Sequence, residues 1–566
     1  MLKYENLDPD EVKILKDLEN AMGRKIPKVN RIVWNSIGFT TKENKIFSLQ
    51  LHHYGSKSIP ESLCQLKSLQ KLYLVSYKLK HIPTSFRNLR SLRTLYFSCH
   101  ENIAVPESIF KLKNLNYLSL AYNWIRYLPN NIGELKSLEK LDLSYNYLST
   151  LPKSITNLKS LKELNLEYNN LTTLPRFFAQ LESLQKLNLS RNKITTLPES
   201  FGDLKKLREL NLNQNSLLAI PQCITELKSL KRLYLYHNMI TRLPKAFRRL
   251  KSLRKLNLKE NRLTNLPDFF SELKKLKELN LKANKLNNIK NSILDIENLR
   301  KLYLGYNELT ELLEFSVRLE SLKELYLKGN KIKKLPKSIS NLKSLQKLNL
   351  EGNELAELPK SLSKLKALRK LNLRRNNFVK FPNHLHYLEN LEELNLGWNN
   401  LRALNPSIGN LKSLKKLVLT QNKLKMIPKS IGQLSALKEL CLCANQLISL
   451  PESIGKLKSL EIFHLCRNNL TFLPISIGNL ESLKYLNLND NRLIILPKAI
   501  GDLKSLENLN LNHNRLTKLP DSMRNLNSLK KLYLARNNFI TFPESIGNVK
   551  FLRTLDLHEN QLKSLH

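Results

Sequence analysis

Glycine is scarce in this chain, 15 of 566 residues, and the few present form neither GxxxxGK nor GxGxxG. The backbone therefore offers no ready cradle for nucleotide phosphates. GxSxG and HExxH are missing as well, which removes the commonest hydrolase and metalloprotease signatures. Cysteine is rare, six in all and none clustered at the ends. A secreted domain stapled by terminal disulfides would need more. No apolar run approaches 18 residues, so no helix is expected to cross a membrane. The N-terminal segment carries acids and no continuous apolar stretch, which argues against targeting. Together these absences point to the cytoplasm. Acidic residues are also few: 48 against 93 Lys and Arg, a formal net charge of +45. Helix-turn-helix, zinc-finger and RNP signatures are absent, so the charge alone does not make a nucleic-acid reader.

What is abundant is a leucine pattern recurring every 23 residues, without insertion or deletion, from Ile46 to Leu552. Repetition on this scale marks a solenoid, whose default business is to present a long surface. In residues 138–160 the unit opens with Leu138, Leu141 and Leu143. Asn146, Leu148, Leu151-Pro152, Ile155 and Leu158 follow. The period of two at Leu141 and Leu143 predicts a short strand with alternate side chains inward. After Pro152 the spacing becomes three, which predicts a 3₁₀ or α turn with proline at its start. Strand on one side and turn on the other predict an α/β solenoid whose strands pair as one parallel sheet.

The pattern LxxLxLxxNxL followed by xxLPxxIxxLxx resembles the 23-residue class of leucine-rich repeat proteins, over residues 46–566. Its nearest likeness is to intracellular proteins of the Ras-binding scaffold type, and to plant and microbial proteins with the same repeat. The resemblance implies a horseshoe or arc with a concave parallel sheet and short helical or 3₁₀ turns on the convex side. It also implies a protein–protein scaffold, with a small GTPase or another signalling protein as partner. The GTPase, kinase or ubiquitin-transfer domains that some relatives carry are not found here.

Asparagine fills the ninth repeat position twenty times running, from Asn123 to Asn560. An inward carboxamide can bond backbone groups that the tight coil leaves unpaired. Tyr54, Tyr77 and His100 stand there in the first three units, so a less regular end is expected. Lys290, Leu313 and Asn405 replace the proline, and a changed convex side is expected near residues 288–319. Residues 1–45 do not repeat and read as an N-terminal cap on the solenoid of 46–566, whose 23 units end in an incomplete one. Asp8 is the expected N-cap of a helix, with Pro9 at its first position and Glu11 as the reciprocal acid. Val12, Leu15, Leu18 and Met22 give its apolar stripe, and Gly23 fits its end. Short strands are expected at residues 31–34 and 39–41, with a turn near Glu43-Asn44. The last unit stops at Leu565-His566; an uncapped end, pairing with a second copy and a truncated sequence are all open readings.

The repeat also locates the charge. Lys159, Lys205, Lys228, Lys251 and Lys274 precede the strands; Lys162, Arg208, Lys231, Arg254 and Lys277 stand one residue into their units. With strands about 4.8 Å apart these form a basic ridge along one rim. One reading is a solvated surface that prevents aggregation. The other is attraction to an acidic protein, anionic lipid or nucleic acid. On the strand face the signs alternate: Lys140, Glu163, Lys186, Glu209, Arg232, then Lys255, Glu278, Lys301, Glu324, Lys347.

Aromatics mark candidate contacts on the concave face. Tyr73, Tyr96, Tyr234, Tyr303, Tyr326 and Tyr533 interrupt a row of Asn residues, while Tyr122, Tyr145 and Tyr168 form a second row at the strand exit beside Tyr117. Tyrosine is enriched in hot spots, and it also simply suits β surfaces. Trp398, beside Arg374 and Arg375 of the preceding unit, is a further candidate. Cys441, Cys443, His464 and Cys466 form a square on adjacent strands. Zinc ligation, a Cys443–Cys466 disulfide and plain surface filling compete there; parallel side chains on a flat sheet suit tetrahedral zinc poorly, and a reducing cytoplasm disfavours the disulfide. No resident metal or cofactor is expected, and no catalysis. The chain reads as a non-catalytic scaffold for a folded protein, with polyanion binding through the rim as the alternative.

Overall fold

The computed structural model describes residues 4, 6–33, 36–99, 105–289, 291–547 and 549–563. His100, Lys290 and Leu565-His566 lie outside them, as does Trp34. The chain divides into two compact units, residues 1–279 and 280–566.

The first unit opens with helix α1 (Pro9–Met22). Asp8 caps it by accepting the Asp10 N–H at 3.0 Å, and Gly23 ends it in the left-handed region at φ 64°. Glu11 does not close a capping box. Its carboxylate is buried and accepts the Ile46 N–H at 2.6 Å. That bond ties α1 to the first repeat strand, and it replaces the local bond because Glu11 faces inward. Residues 31–33 form no strand; β1 (Gly38–Lys42) does, pairing antiparallel with β2 (Lys45–Tyr54) across a turn at Glu43-Asn44.

Beyond β2 the strand pairings of the unit are parallel among the described residues, as in β3 (Lys71–Ser76) and β4 (Thr94–Ser98). The strands then shorten to three residues, such as Lys140–Asp142 and Glu163–Asn165, paired 23 residues apart. The longer early strands lie where the ninth-position asparagine is missing. Ser76 substitutes for it: its hydroxyl donates to the Tyr54 carbonyl at 2.7 Å and accepts from the Leu79 N–H at 3.0 Å. From Asn123 onward the carboxamide takes over. Asn169 accepts from the Leu148 N–H at 2.9 Å and donates to the carbonyls of Leu143 and Leu166 at 2.9 and 3.1 Å. These are backbone groups that would otherwise be buried without partners.

On the opposite side of most coils lies a 3₁₀ turn, such as Lys153–Asn157, with a short α turn at Glu107–Phe110. Pro152 sits one residue before it, not at its first position, with φ −69° and ψ 153°. Its fixed φ suits this extended entry, and its carbonyl accepts the Ile155 N–H at 3.1 Å. Leu141, Leu143, Ile155 and Leu158 are buried between the two sides.

The second unit repeats the plan, with parallel strands from Lys301–Tyr303 to Thr554–Asp556. Its convex side changes where proline is lost, as expected. Asn291–Leu294 is an α turn. The next 3₁₀ turn, Val317–Ser321, is capped by the Ser316 hydroxyl, which accepts the Arg318 N–H at 3.2 Å. Asn405 acts likewise, accepting the Ser407 N–H at 2.9 Å ahead of Pro406. A side-chain cap thus stands in for the missing proline.

A candidate interaction surface

From Tyr122 onward each coil leaves its strand through a residue in the left-handed region: Tyr122, Tyr145, Tyr168 and Arg191 have φ of 60°, 54°, 55° and 56°. Backbone bonds hold these rungs in register, Tyr122 N–H to Ser144 O and Tyr145 N–H to Glu167 O. The same side-chain direction on successive coils brings the rings face to face. Tyr122 and Tyr145 stack at 4.3 Å between centroids, and Tyr145 and Tyr168 at 5.0 Å. The Arg191 guanidinium lies 6.0 Å from the Tyr168 ring. Tyr168 is half exposed, Tyr122 less so, and Tyr145 is sandwiched. Stacking fixes the rotamers in advance, which lowers the ordering cost of a contact.

The remaining tyrosines behave differently. Tyr73, Tyr117 and Tyr234 are partly exposed on the sheet face of the first unit. Tyr96 is only 9% exposed, so it is not an accessible contact. It sits in register between Tyr73 and Ser119, and burial, with Asp142, Tyr117 and Tyr122 close by, pushes its phenol up. In the second unit Tyr303 and Tyr326 stack at 4.7 Å, and Tyr326 donates to Glu324 at 2.9 Å. Trp398 is 44% exposed, with Arg374 and Arg375 at 5.6 and 4.9 Å from its ring.

Sequence reasoning missed a neighbouring aromatic group. Trp124, Tyr127 and Tyr147 are exposed, and with Arg126, Ser149 and Asn170 they line a recess of about 500 Å³. Trp124 meets Tyr147 edge to face at 6.4 Å. The available signal was an aromatic directly after the ninth-position asparagine in two successive units, at Trp124 and Tyr147.

The alternating charges on the sheet pair as their order suggests. Glu163 lies 3.3 Å from Lys140 and 2.8 Å from Lys186; Glu324 lies 3.4 Å from Lys301 and 3.3 Å from Lys347. Partial burial pushes the Glu163 carboxyl up, but the Lys186 hydrogen bond and both lysine charges outweigh it and hold it below the usual value of 4.5. For Glu324, burial is likewise outweighed by the Tyr326 hydrogen bond and the flanking lysines. A carboxylate whose folded pKa is depressed adds stability above its unfolded value and loses it as pH falls through the folded one. The thermal midpoint should therefore drop as pH is lowered from 5 through the depressed range. Glu163→Gln should flatten part of that dependence, and an unchanged pH profile in the variant would refute the assignment. The pairs are partly exposed, so each contributes only about 0–1 kcal/mol.

The rim is less uniform than its sequence. Lys162 pairs with Glu139 at 2.7 Å, Lys159 lies 3.7 Å from Glu182, Lys205 pairs with Asp203 at 3.1 Å and Lys251 with Glu272 at 2.9 Å. Lys274 is close to other groups. Arg208, Lys228, Lys231, Arg254 and Lys277 face no acid within 4 Å among the described residues. Successive backbone bonds of 2.8 Å, Lys231 to Arg208, Arg254 to Lys231 and Lys277 to Arg254, hold four of these cations side by side.

Of the cysteine–histidine square, Cys443 and Cys466 form a disulfide across adjacent strands, Cα to Cα 4.6 Å. That joins two of the four would-be zinc ligands to each other. Burial, then Glu439, pushes the Cys441 thiol up to about 12, and burial lowers His464. Among the described residues no group of three or more His, Cys, Asp or Glu is placed to hold a metal.

Residues 105–193, 187–304, 283–401 and 463–566 match the leucine-rich repeat region family, and residues 390–447 match a second leucine-rich repeat family. No curated protein matches. Among solved structures, a leucine-rich repeat protein of Leptospira interrogans is 35% identical, covering 77% of this chain and 94% of its own, with TM-score 0.54. The plant peptide hormone receptor RGFR1, solved with RGF2, is 27% identical over 94% of this chain and 92% of its own, with TM-score 0.61. The ectodomain of the Arabidopsis receptor kinase HAESA, solved with an IDA peptide hormone ligand, is 25% identical over 91% and 93%, with TM-score 0.54. Similarity to receptors, one an ectodomain, overturns the cytoplasmic expectation. Cysteine scarcity was a poor guide because this coil seals itself with leucines and asparagines, needing few disulfides in either compartment. No helix among the described residues is long and apolar enough to cross a membrane. Each unit is a solenoid of parallel strands and 3₁₀ turns, the repeat matches over most of its length, and the chain belongs to the leucine-rich repeat family.

Proposed function

We propose that this chain is a non-catalytic interaction scaffold that binds a folded protein on its sheet face. The Tyr122–Tyr145–Tyr168 stack carries the reading: three rings held at 4.3 and 5.0 Å beside a charge-paired sheet. A pre-ordered aromatic strip on a rigid sheet contacts a partner at low entropic cost. Peptide-bound neighbours such as RGFR1 lend support. A small GTPase is the first folded partner to test, following the repeat's likeness to Ras-binding scaffolds. Residues 1–45 act as a cap on the solenoid of 46–566, a reading supported by the Glu11–Ile46 bond.

The test is affinity capture from native lysate, then titration of each identified protein and of a purified small GTPase in both nucleotide states. Tyr122→Ala/Tyr145→Ala/Tyr168→Ala should weaken the genuine partner at least tenfold while the thermal midpoint moves little. Equal affinity for both forms would overturn the anchor. A second reading, polyanion binding, is favoured by the unpaired row Arg208–Lys231–Arg254–Lys277. Such binding would collapse with added salt, whereas tyrosine-anchored binding would largely persist.

A further inference from the structure

In the first unit the sheet face holds a trough of about 330 Å³, lined by Tyr117, Asp142 and the Lys140–Glu163–Lys186 row, with Asn165, Asn188 and Asn211 alongside. The three asparagines occupy adjacent strands in register. Each turns its carboxamide oxygen back to its own chain: Asn165 to the Glu167 N–H at 3.2 Å, Asn188 to the Ser190 N–H at 3.1 Å, Asn211 to the Asn213 N–H at 3.0 Å. The amide nitrogens are therefore left as the groups on offer. Asn188 spends its nitrogen on Glu167 at 3.1 Å. Those of Asn165 and Asn211 have no acceptor among the described residues. The trough thus displays the uncommitted amides of Asn165 and Asn211, two strands apart, with Asn188 between them drawn toward Glu167 through one of its two N–H groups.

The occupant must bring acceptors. An anion is disfavoured, because Asp142, Glu163 and Glu209 also line the trough. Lys140 and Lys186 share Glu163 and Arg232 takes Glu209, which leaves Asp142 with no second open acid beside it, among the described residues, to share a cation. Neutral carbonyl oxygens fit best, and their spacing is fixed. Two strand spacings are about 9.6 Å. In a polyproline-II segment, carbonyls on one side recur every three residues, about 9.3 Å. In a β-strand they recur about every 6.8 Å, which matches neither one strand spacing nor two. Tyr117 at one end of the trough and Tyr234, next in the asparagine row, supply rings of the kind that such segments dock against.

We propose that this trough takes a polyproline-II segment of the partner, its i and i+3 carbonyls accepting from Asn165 and Asn211. The proposal rests on the reading of the sheet face as a protein-binding surface. It is tested on the full chain by fluorescence anisotropy with a labelled ten-residue oligoproline, a glycine-rich peptide and a valine–threonine strand-forming peptide of equal length. Oligoproline should bind at least tenfold tighter than either. Asn165→Asp/Asn211→Asp keeps the oxygen that holds the local turn but removes both donors, and should weaken oligoproline at least tenfold. No oligoproline binding, no preference over the other two peptides, or full binding by the Asp variant would each overturn the proposal. The wild-type comparison decides it even if the variant misfolds. Failure here, with the captured protein still dependent on the tyrosines, would leave the scaffold reading standing.

Discussion

Asn238→Ala is expected to lower the stability of the first unit by about 2–4 kcal/mol, a large loss for one small polar residue. Asn238 is 7% exposed, accepts the Leu217 N–H at 3.1 Å, and donates to the carbonyls of Leu212 and Leu235 at 2.9 and 3.2 Å. Alanine orphans the buried Leu217 N–H, which alone costs about 1–3 kcal/mol, and the lost carbonyl bonds add about 0.5–1.5 kcal/mol each at most. The Leu212 carbonyl has a reserve, since it also accepts from Asn215 at 3.1 Å. Removing Asn215 and Asn238 together strips both donors from that oxygen, so the double variant should lose more than the sum of the single ones. Urea midpoints give the energies, and hydrogen exchange at the Leu217 amide gives the location. Unchanged exchange there in Asn238→Ala would refute the ladder.

Gly455→Ala should destabilise the second unit by about 3 kcal/mol, the upper end for added bulk in a packed interior. A Cβ at Gly455 would lie 2.3 Å from the Ser476 carbonyl oxygen and 2.8 Å from its Cβ. The obstacle is backbone of the next coil, which cannot rotate aside. Gly432, Gly478 and Gly501 repeat the close approach, so their 3₁₀ turns pack as a set and cannot give way singly. Gly55 is the control, because nothing lies within 4 Å of its Cβ direction. Equal thermal midpoints for Gly455→Ala and Gly55→Ala would show that the coils separate freely.

The coil was legible because its causes are local: Leu141 and Leu143 alternate, Pro152 sets one φ, and an inward Asn must find backbone partners. The register was legible too, and it put Cys443 beside Cys466. What the pattern missed depends on three-dimensional crowding. Tyr96 carries the same letter and slot as Tyr73, yet its neighbours bury it. Rim lysines look alike in sequence, but Lys162 meets Glu139 while Lys231 meets arginines on both sides. The Tyr122–Tyr145–Tyr168 stack follows from a left-handed exit that tyrosine does not itself favour; closing the coil imposes it.

That exit recurs on coil after coil, and it is filled by Arg191, Gln214, His237, Glu260 and Ala283 as readily as by tyrosine. Each non-glycine residue there costs about 1–2 kcal/mol of backbone strain. The leucine interior meets that cost, and it does so whichever side chain is chosen. Duplicating a coil would copy its shape while leaving one letter open to drift. New binding preferences can therefore be written along this column without renegotiating the architecture beneath.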